Sequence, residues 1–192
     1  MAQLNPYGYT AYGVPAELIT PEHFQAMTGG ELASSDEEVE AALRGASYAI
    51  RNYCHWHLAP NALCEWIGDA EGTLVQLPAR HVTAVDDVFI NGQKAVEGYD
   101  YFWDSKGLIK LTKPLSGWGR QLRIRFHAGF DPEAIAHIVK QVAENALVTP
   151  AGIMNERAGD VSITYSQSPG FAAGAVQLLA SDKQALDAFR AR

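Results

Sequence analysis

The stretch Phe130 to Pro150, FDPEAIAHIVKQVAENALVTP, most constrains the fold, because its start, its period and its stop agree on one long helix. Asp131 can cap the free amides of the first turn, Pro132 at the first helical position has no amide to leave unpaired, and Phe130 can staple onto Ile135. Ile135, Ile138, Val139, Val142 and Ala146 recur at three- and four-residue steps, with His137, Lys140, Gln141 and Glu144 on the other face. Pro150 and Gly152 end the run, since proline lacks an amide donor and disfavours helical geometry in the residue before it. A stripe of this kind needs a second apolar surface to bury it. Ser35 to Glu38 reads as a capping box whose acidic run, Asp36, Glu37 and Glu38, suits the positive end of a helix dipole. The helix it opens carries Val39, Leu43, Ala46, Ile50 and Tyr53 as a stripe expected to pack on the first.

Between the two helices the chain changes to strand chemistry. Leu63 to Ile67, Thr73 to Leu77, Val82 to Ile90, Tyr99 to Trp103, Leu108 to Leu111 and Gln121 to His127 are β-rich runs bounded by turn residues. Asn91-Gly92 is a strong hairpin signal, because both residues tolerate the positive φ of a type I′ turn, and Asp104 to Gly107 is a second turn. The expected class is α+β: a small helical bundle with an inserted antiparallel sheet or small barrel, and extended N- and C-terminal arms. Residues 1–18 form the N-terminal arm, 19–62 and 129–150 the bundle, 63–128 the inserted β part, and 151–192 a C-terminal loop and helix. The N-terminal arm has no period but carries Tyr7, Tyr9 and Tyr12, which favour docking on a surface. Thr20 and Pro21 start a short helix, and Gly29-Gly30 end it. Beyond Pro150 a long stretch has little period except the strand-like Val161 to Tyr165, and Ser181 with Gln184 can cap a last helix.

Composition limits the function classes. A hydrophobic fraction of 47% and a charged fraction of 19% are those of a folding, globular chain. No apolar run approaches the ~20 residues of a membrane span, and the N-terminus lacks the regions of a signal peptide, so a soluble protein made in the cytoplasm is expected. Of the net charge of −7, residues 1–62 hold −5, which argues against a protein that reads DNA through a basic face.

The candidate chemistry is thin. Cys54, His55, His57 and Cys64 are badly spaced for zinc, and buried thiols are the expectation. His81 with Asp86 or Asp87 could be the acid/base group of a small hydrolase, but adjacent strand residues point to opposite faces unless a bulge intervenes. No nucleophile elbow, phosphate loop, dinucleotide fingerprint or zinc-protease motif occurs, so no catalytic, cofactor-binding or metal residues are expected. Arg120, Arg123 and Arg125 give one strand a basic face, which supports DNA binding as the alternative function.

The order of parts adds a resemblance. The acidic capped helix, the insertion with LPARHVTAVDDVFING at Leu77 to Gly92, HAGFDPEAI at His127 to Ile135, RAGDVSITYS at Arg157 to Ser166 and the closing ALDAFR together resemble the head-tail connector (adaptor, head-completion) proteins of long-tailed bacteriophages and gene transfer agents. The likeness covers residues 18–192 and lies in structural motifs. It implies a virion protein without enzymatic activity, assembled in the host cytoplasm as a dodecameric ring. That ring would join the portal protein to a stopper or tail-completion protein, with DNA passing through its channel without sequence-specific binding and with no membrane or cofactor involved. On that reading Val161, Ile163, Tyr165, Leu186, Phe189, Arg190 and Arg192 are expected to contact the portal or a neighbouring subunit, and Arg120, Arg123 and Arg125 to line the channel or an interface. A ring of acidic copies would repel a duplex from its wall and ease its passage.

Overall fold

In a computed structural model of the chain the described residues are 7–30, 36–116, 119, 121–148, 155–158, 161–164 and 176–191. They are α+β, with four helices, α1 (Pro21–Met27), α2 (Glu37–Cys54), α3 (Ala136–Val148) and α4 (Ala180–Leu186), and antiparallel sheets. The strands are β1 (Thr10–Ala11), β2 (Ala62–Gly68), β3 (Gly72–Gln76), β4 (Val82–Ile90), β5 (Gln93–Lys94), β6 (Tyr101–Trp103), β7 (Leu108–Leu115), β8 (Leu122–Ala128), β9 (Asn155–Ala158) and β10 (Val161–Thr164). Two compact units divide them, one of residues 7–15, 51–134 and 186–191, the other of residues 16–50 and 135–185.

The first unit holds an open five-stranded sheet, β1-β2-β8-β4-β5, and an open three-stranded sheet, β3-β7-β6. The strands expected between residues 63 and 128 therefore form two sheets, and neither closes into a barrel. Strict alternation along β8 decides the faces: Leu122, Ile124, Phe126 and Ala128 are buried, while Arg123, Arg125 and His127 point away. Each fully buried Leu, Ile or Phe of this kind contributes about 1.5–3 kcal/mol. Asn91 and Gly92 both have positive φ, and Ile90 pairs with Gln93, so the two-residue hairpin forms as expected. Asp104 makes the second turn, its carboxylate accepting from the amides of Lys106 (2.9 Å) and Leu108 (3.0 Å).

The N-terminal arm belongs to this unit as an edge strand. Thr10 pairs with Glu65 and Ala11 with Cys64, and the Tyr12 amide donates to the Leu63 carbonyl at 2.9 Å. Tyr9 is fully buried, stacked at an angle on Phe126 and edge-on to His57. The C-terminal end returns to the same unit, where the Ala191 amide donates to the Cys54 carbonyl at 2.9 Å.

In the second unit, α1 begins as expected, with the Thr20 hydroxyl accepting from the His23 amide and Pro21 opening the first turn. Asp36 caps α2 through its carboxylate on the Glu38 amide at 3.1 Å, and Ser35 lies outside the described residues. Along α2 this unit buries Val39, Ala42, Leu43, Ala46, Ser47 and Ile50, and the Ser47 hydroxyl accepts from the Leu18 amide. Gly45 leaves room for Val176, whose Cγ2 would lie 2.6 Å from a Cβ at that position.

The C-terminal long helix starts later than its sequence signals suggest. Pro132–Ala134 is a 3-10 turn, with Asp131 accepting from the Glu133 amide, and α3 proper begins at Ala136. The shift rotates its stripe, so Ile135, Ala136, Val139, Val142 and Ala143 are buried while Ile138 and Ala146 are only half-buried. The Phe130 ring packs on those of His81, Trp56 and Phe189. The cap of α4 is likewise displaced. Asp182, buried and bonded to Gln141 at 3.0 Å, reaches back to the Leu179 amide at 2.9 Å and takes the place expected for a Ser181–Gln184 box.

Candidate functional site

The Cys/His cluster is a structural lock. Burial pushes both the Cys54 and Cys64 thiols up to about 12, which keeps them protonated, and the Cys64 Sγ points at the Ala62 carbonyl at 3.5 Å. His57 commits both ring nitrogens: Nδ1 meets the Tyr9 hydroxyl at 2.5 Å, and Nε2 lies 2.9 Å from the Ala128 carbonyl and 3.2 Å from that of Pro60. With carbonyls on Nε2, that nitrogen carries the proton and Nδ1 accepts from tyrosine. Burial lowers His57 to about 4, so it is neutral at physiological pH. The Tyr9 hydroxyl also accepts from the His57 amide at 3.0 Å, and this side chain fixes the arm to the turn after α2.

The acid/base candidates are separated by their surroundings. A bulge does fall between Val85 and Asp87, but it sends Asp86 to His127 at 3.3 Å and leaves Asp87 bonded to Lys94 at 2.6 Å. His81 stacks on Phe130, rings parallel and 4.7 Å apart. Neither aspartate has His81 as its bonded partner.

Register explains the arginine strand. Arg125 stands between Glu65 of β2 and Asp87 of β4, and Arg123 stands between Ile67 and Phe89, with its guanidinium 4.3 Å over the Phe89 ring. Lys94 first, then Arg125 and Arg123, hold the Asp87 carboxyl below its ordinary value. The face is thus a ladder of mixed charge and cation-on-ring contacts, whose cations already have carboxylate and aromatic neighbours for their charge. Arg120 lies outside the described residues.

The C-terminal candidates divide. Leu186 is fully buried in its own chain, so it is not an exposed anchor. Phe189 is half-buried against Phe130, with ring centroids 5.1 Å apart, and its carbonyl accepts from Trp56 Nε1 at 2.8 Å. Tyr53 donates to Asp187 at 2.6 Å, and that bond raises the phenol above its ordinary value. Arg190 stays exposed, 3.3 Å from His55 and 5.3 Å over the Tyr53 ring. Val161 and Ile163 lie on β10, which pairs with β9 in a two-stranded hairpin, Val161 opposite Ala158 and Ile163 opposite Glu156. Tyr165 and Arg192 fall outside the described residues.

Sequence reasoning missed one surface. On β3-β7-β6 the row Val75, Ile109 and Trp103 lies on the inward face, whereas the next row, Leu74, Lys110 and Phe102, faces solvent with Leu74 57% and Phe102 50% exposed. The adjacent apolar pair Leu74-Val75 gives no parity by which the outward residue could have been chosen.

No protein-family model matches the chain, and no curated protein sequence does. Solved structures do. One is a chain from the neck of a native gene transfer agent particle, computed with C12 symmetry, at TM-score 0.58 and 18% identity, covering 100% of this chain and 96% of that one. Another is a chain from the virion of a native gene transfer agent particle, at TM-score 0.57 and 17% identity, covering 96% of this chain and 95% of that one. At those identities the likeness is one of fold: along its whole length this chain is built like a chain of a gene transfer agent neck.

Proposed function

We propose that the protein is a structural virion protein of a phage-like particle, the head-to-tail connector ring that joins the portal to the next head-completion or tail protein around the DNA channel. The observation that carries this reading is the shared fold with a neck chain over the full length of both. The C12 symmetry of that neck supports a ring of identical copies here. The mixed-charge ladder around Arg123 and Arg125 fits a wall that DNA slides past better than a surface that grips phosphates. For the portal side, the β9–β10 hairpin has outer backbone edges on which a partner's strand can add, and Arg190 is an exposed cation for an acidic partner. Leu186 and Phe189 serve this role indirectly, by anchoring the tail to its own subunit.

Quantitative mass spectrometry of purified particles tests the proposal. It predicts this chain in the particles in a fixed copy number equal to that of the portal. Particles that lack the chain, or carry it in hundreds of copies like a shell protein, would refute it.

A further inference from the structure

We infer that the outward face of the three-stranded sheet, centred on Leu74, Lys110 and Phe102, is a self-association surface that receives a second copy of this chain. The inference rests on the ring reading above and adds the residues that would join its copies. Leu74 and Phe102 are the direct cross-strand neighbours of Lys110 on either side, so all three point the same way. The strand spacing puts the two apolar side chains about 10 Å apart. The turn leading into β6 also exposes Val96 (59%) and Tyr99 (76%). That turn is closed by hydrogen bonds: the Asp100 carboxylate accepts from the Val96 amide while the Tyr99 and Asp100 amides donate to the Val96 carbonyl. Half of the eight large apolar side chains exposed among the described residues thus belong to one small sheet and its entry turn.

Such a concentration marks an interface, since large exposed apolar side chains normally scatter singly. Its composition is that of an interface centre: aromatic and aliphatic groups around one cation. One lysine is too little charge for a phosphate backbone. A rotationally symmetric ring requires each copy to offer two different surfaces, one to each neighbour, so the partner face need not be apolar sheet again. A chain of net charge −7 supplies the carboxylate for Lys110, as in the exposed Asp36, Glu37 and Glu38 at the start of α2.

The test is sedimentation velocity of the full chain over a concentration series, alongside Leu74→Ser/Phe102→Ser, Lys110→Glu, and Tyr48→Ser as a control at an exposed tyrosine of α2. The wild type and Tyr48→Ser are expected to self-associate. The double variant should do so about a hundredfold more weakly and Lys110→Glu about tenfold more weakly, with unchanged circular dichroism. Because Lys110 is exposed on a strand, its variant keeps the test meaningful if the double variant misfolds. Undiminished assembly of folded Lys110→Glu and of the double variant overturns the inference and leaves the ring reading intact. A wild type that stays monomeric at every concentration also overturns it, while the connector reading still stands or falls on particle composition. Loss of the double variant from particles under that condition would assign the face to a different neck protein, which again contradicts a second copy.

Discussion

At the residue scale, His57 couples the N-terminal arm to pH. In the unfolded chain its pKa is near 6.5 and in the fold about 4, so on acidification the unfolded state takes the proton first. The stabilisation is complete above pH 6.5 and lost as pH falls toward 4, by up to ~3 kcal/mol. A nuclear magnetic resonance titration should give His57 a midpoint near 4. A midpoint above 6 would contradict the lock. Tyr9→Phe removes the hydroxyl that meets both Nδ1 and the His57 amide, and should lower the unfolding free energy by about 1–3 kcal/mol in a urea titration at pH 7. A second position allows no side chain at all. Gly129 has φ 133°, and a Cβ there would stand 2.6 Å from the Pro60 carbonyl carbon, so Gly129→Ala should cost at least ~2 kcal/mol or prevent folding. Neither site was legible in advance. Tyr9 and His57 are 48 residues apart, and no local pattern couples them.

At the element scale, local signals served well and pairing did not. Val82 to Ile90 is a strand with those bounds, because alternation and the Asn91-Gly92 turn act within a few residues. What local signals cannot give is partnership: β8 inserts between β2 and β4, and β7 between β3 and β6, so one β-rich stretch becomes two sheets. Helix ends failed where a competing carboxylate won, as Asp182 did at α4, and where a 3-10 turn displaced the register, as at Pro132–Ala134. The displaced register has a consequence for stability. Leu43→Asp, at a fully buried position of α2, should cost about 3–5 kcal/mol, and Ile138→Asp distinctly less, since Ile138 is half-buried. Thermal melts of the two variants compare them directly, and equal losses would contradict the register of α3. Removal of residues 186–192 takes away Leu186, the Phe189 carbonyl that Trp56 uses and the Asp187 carboxylate that Tyr53 uses. Such a chain should melt several degrees lower, so loss of partner binding on truncation would not by itself identify a docking tail.

At the scale of the whole molecule, the histidine His57 and both thiols are buried, the acid/base candidates have separate partners, and Arg123 lies over an aromatic ring. Exposed among the described residues are a sheet face with apolar side chains and an acidic helix start, the features on which the proposed assembly rests. In the function we propose, these surfaces build a ring at the neck of a particle. Electron cryo-microscopy of the purified particle, with a tag on this chain to mark it, tests that most directly. Tag density is expected at one level between head and tail, repeated twelvefold around the axis as in the C12 neck that shares its fold. Tag density on the shell, along the tail or nowhere on the particle would contradict it.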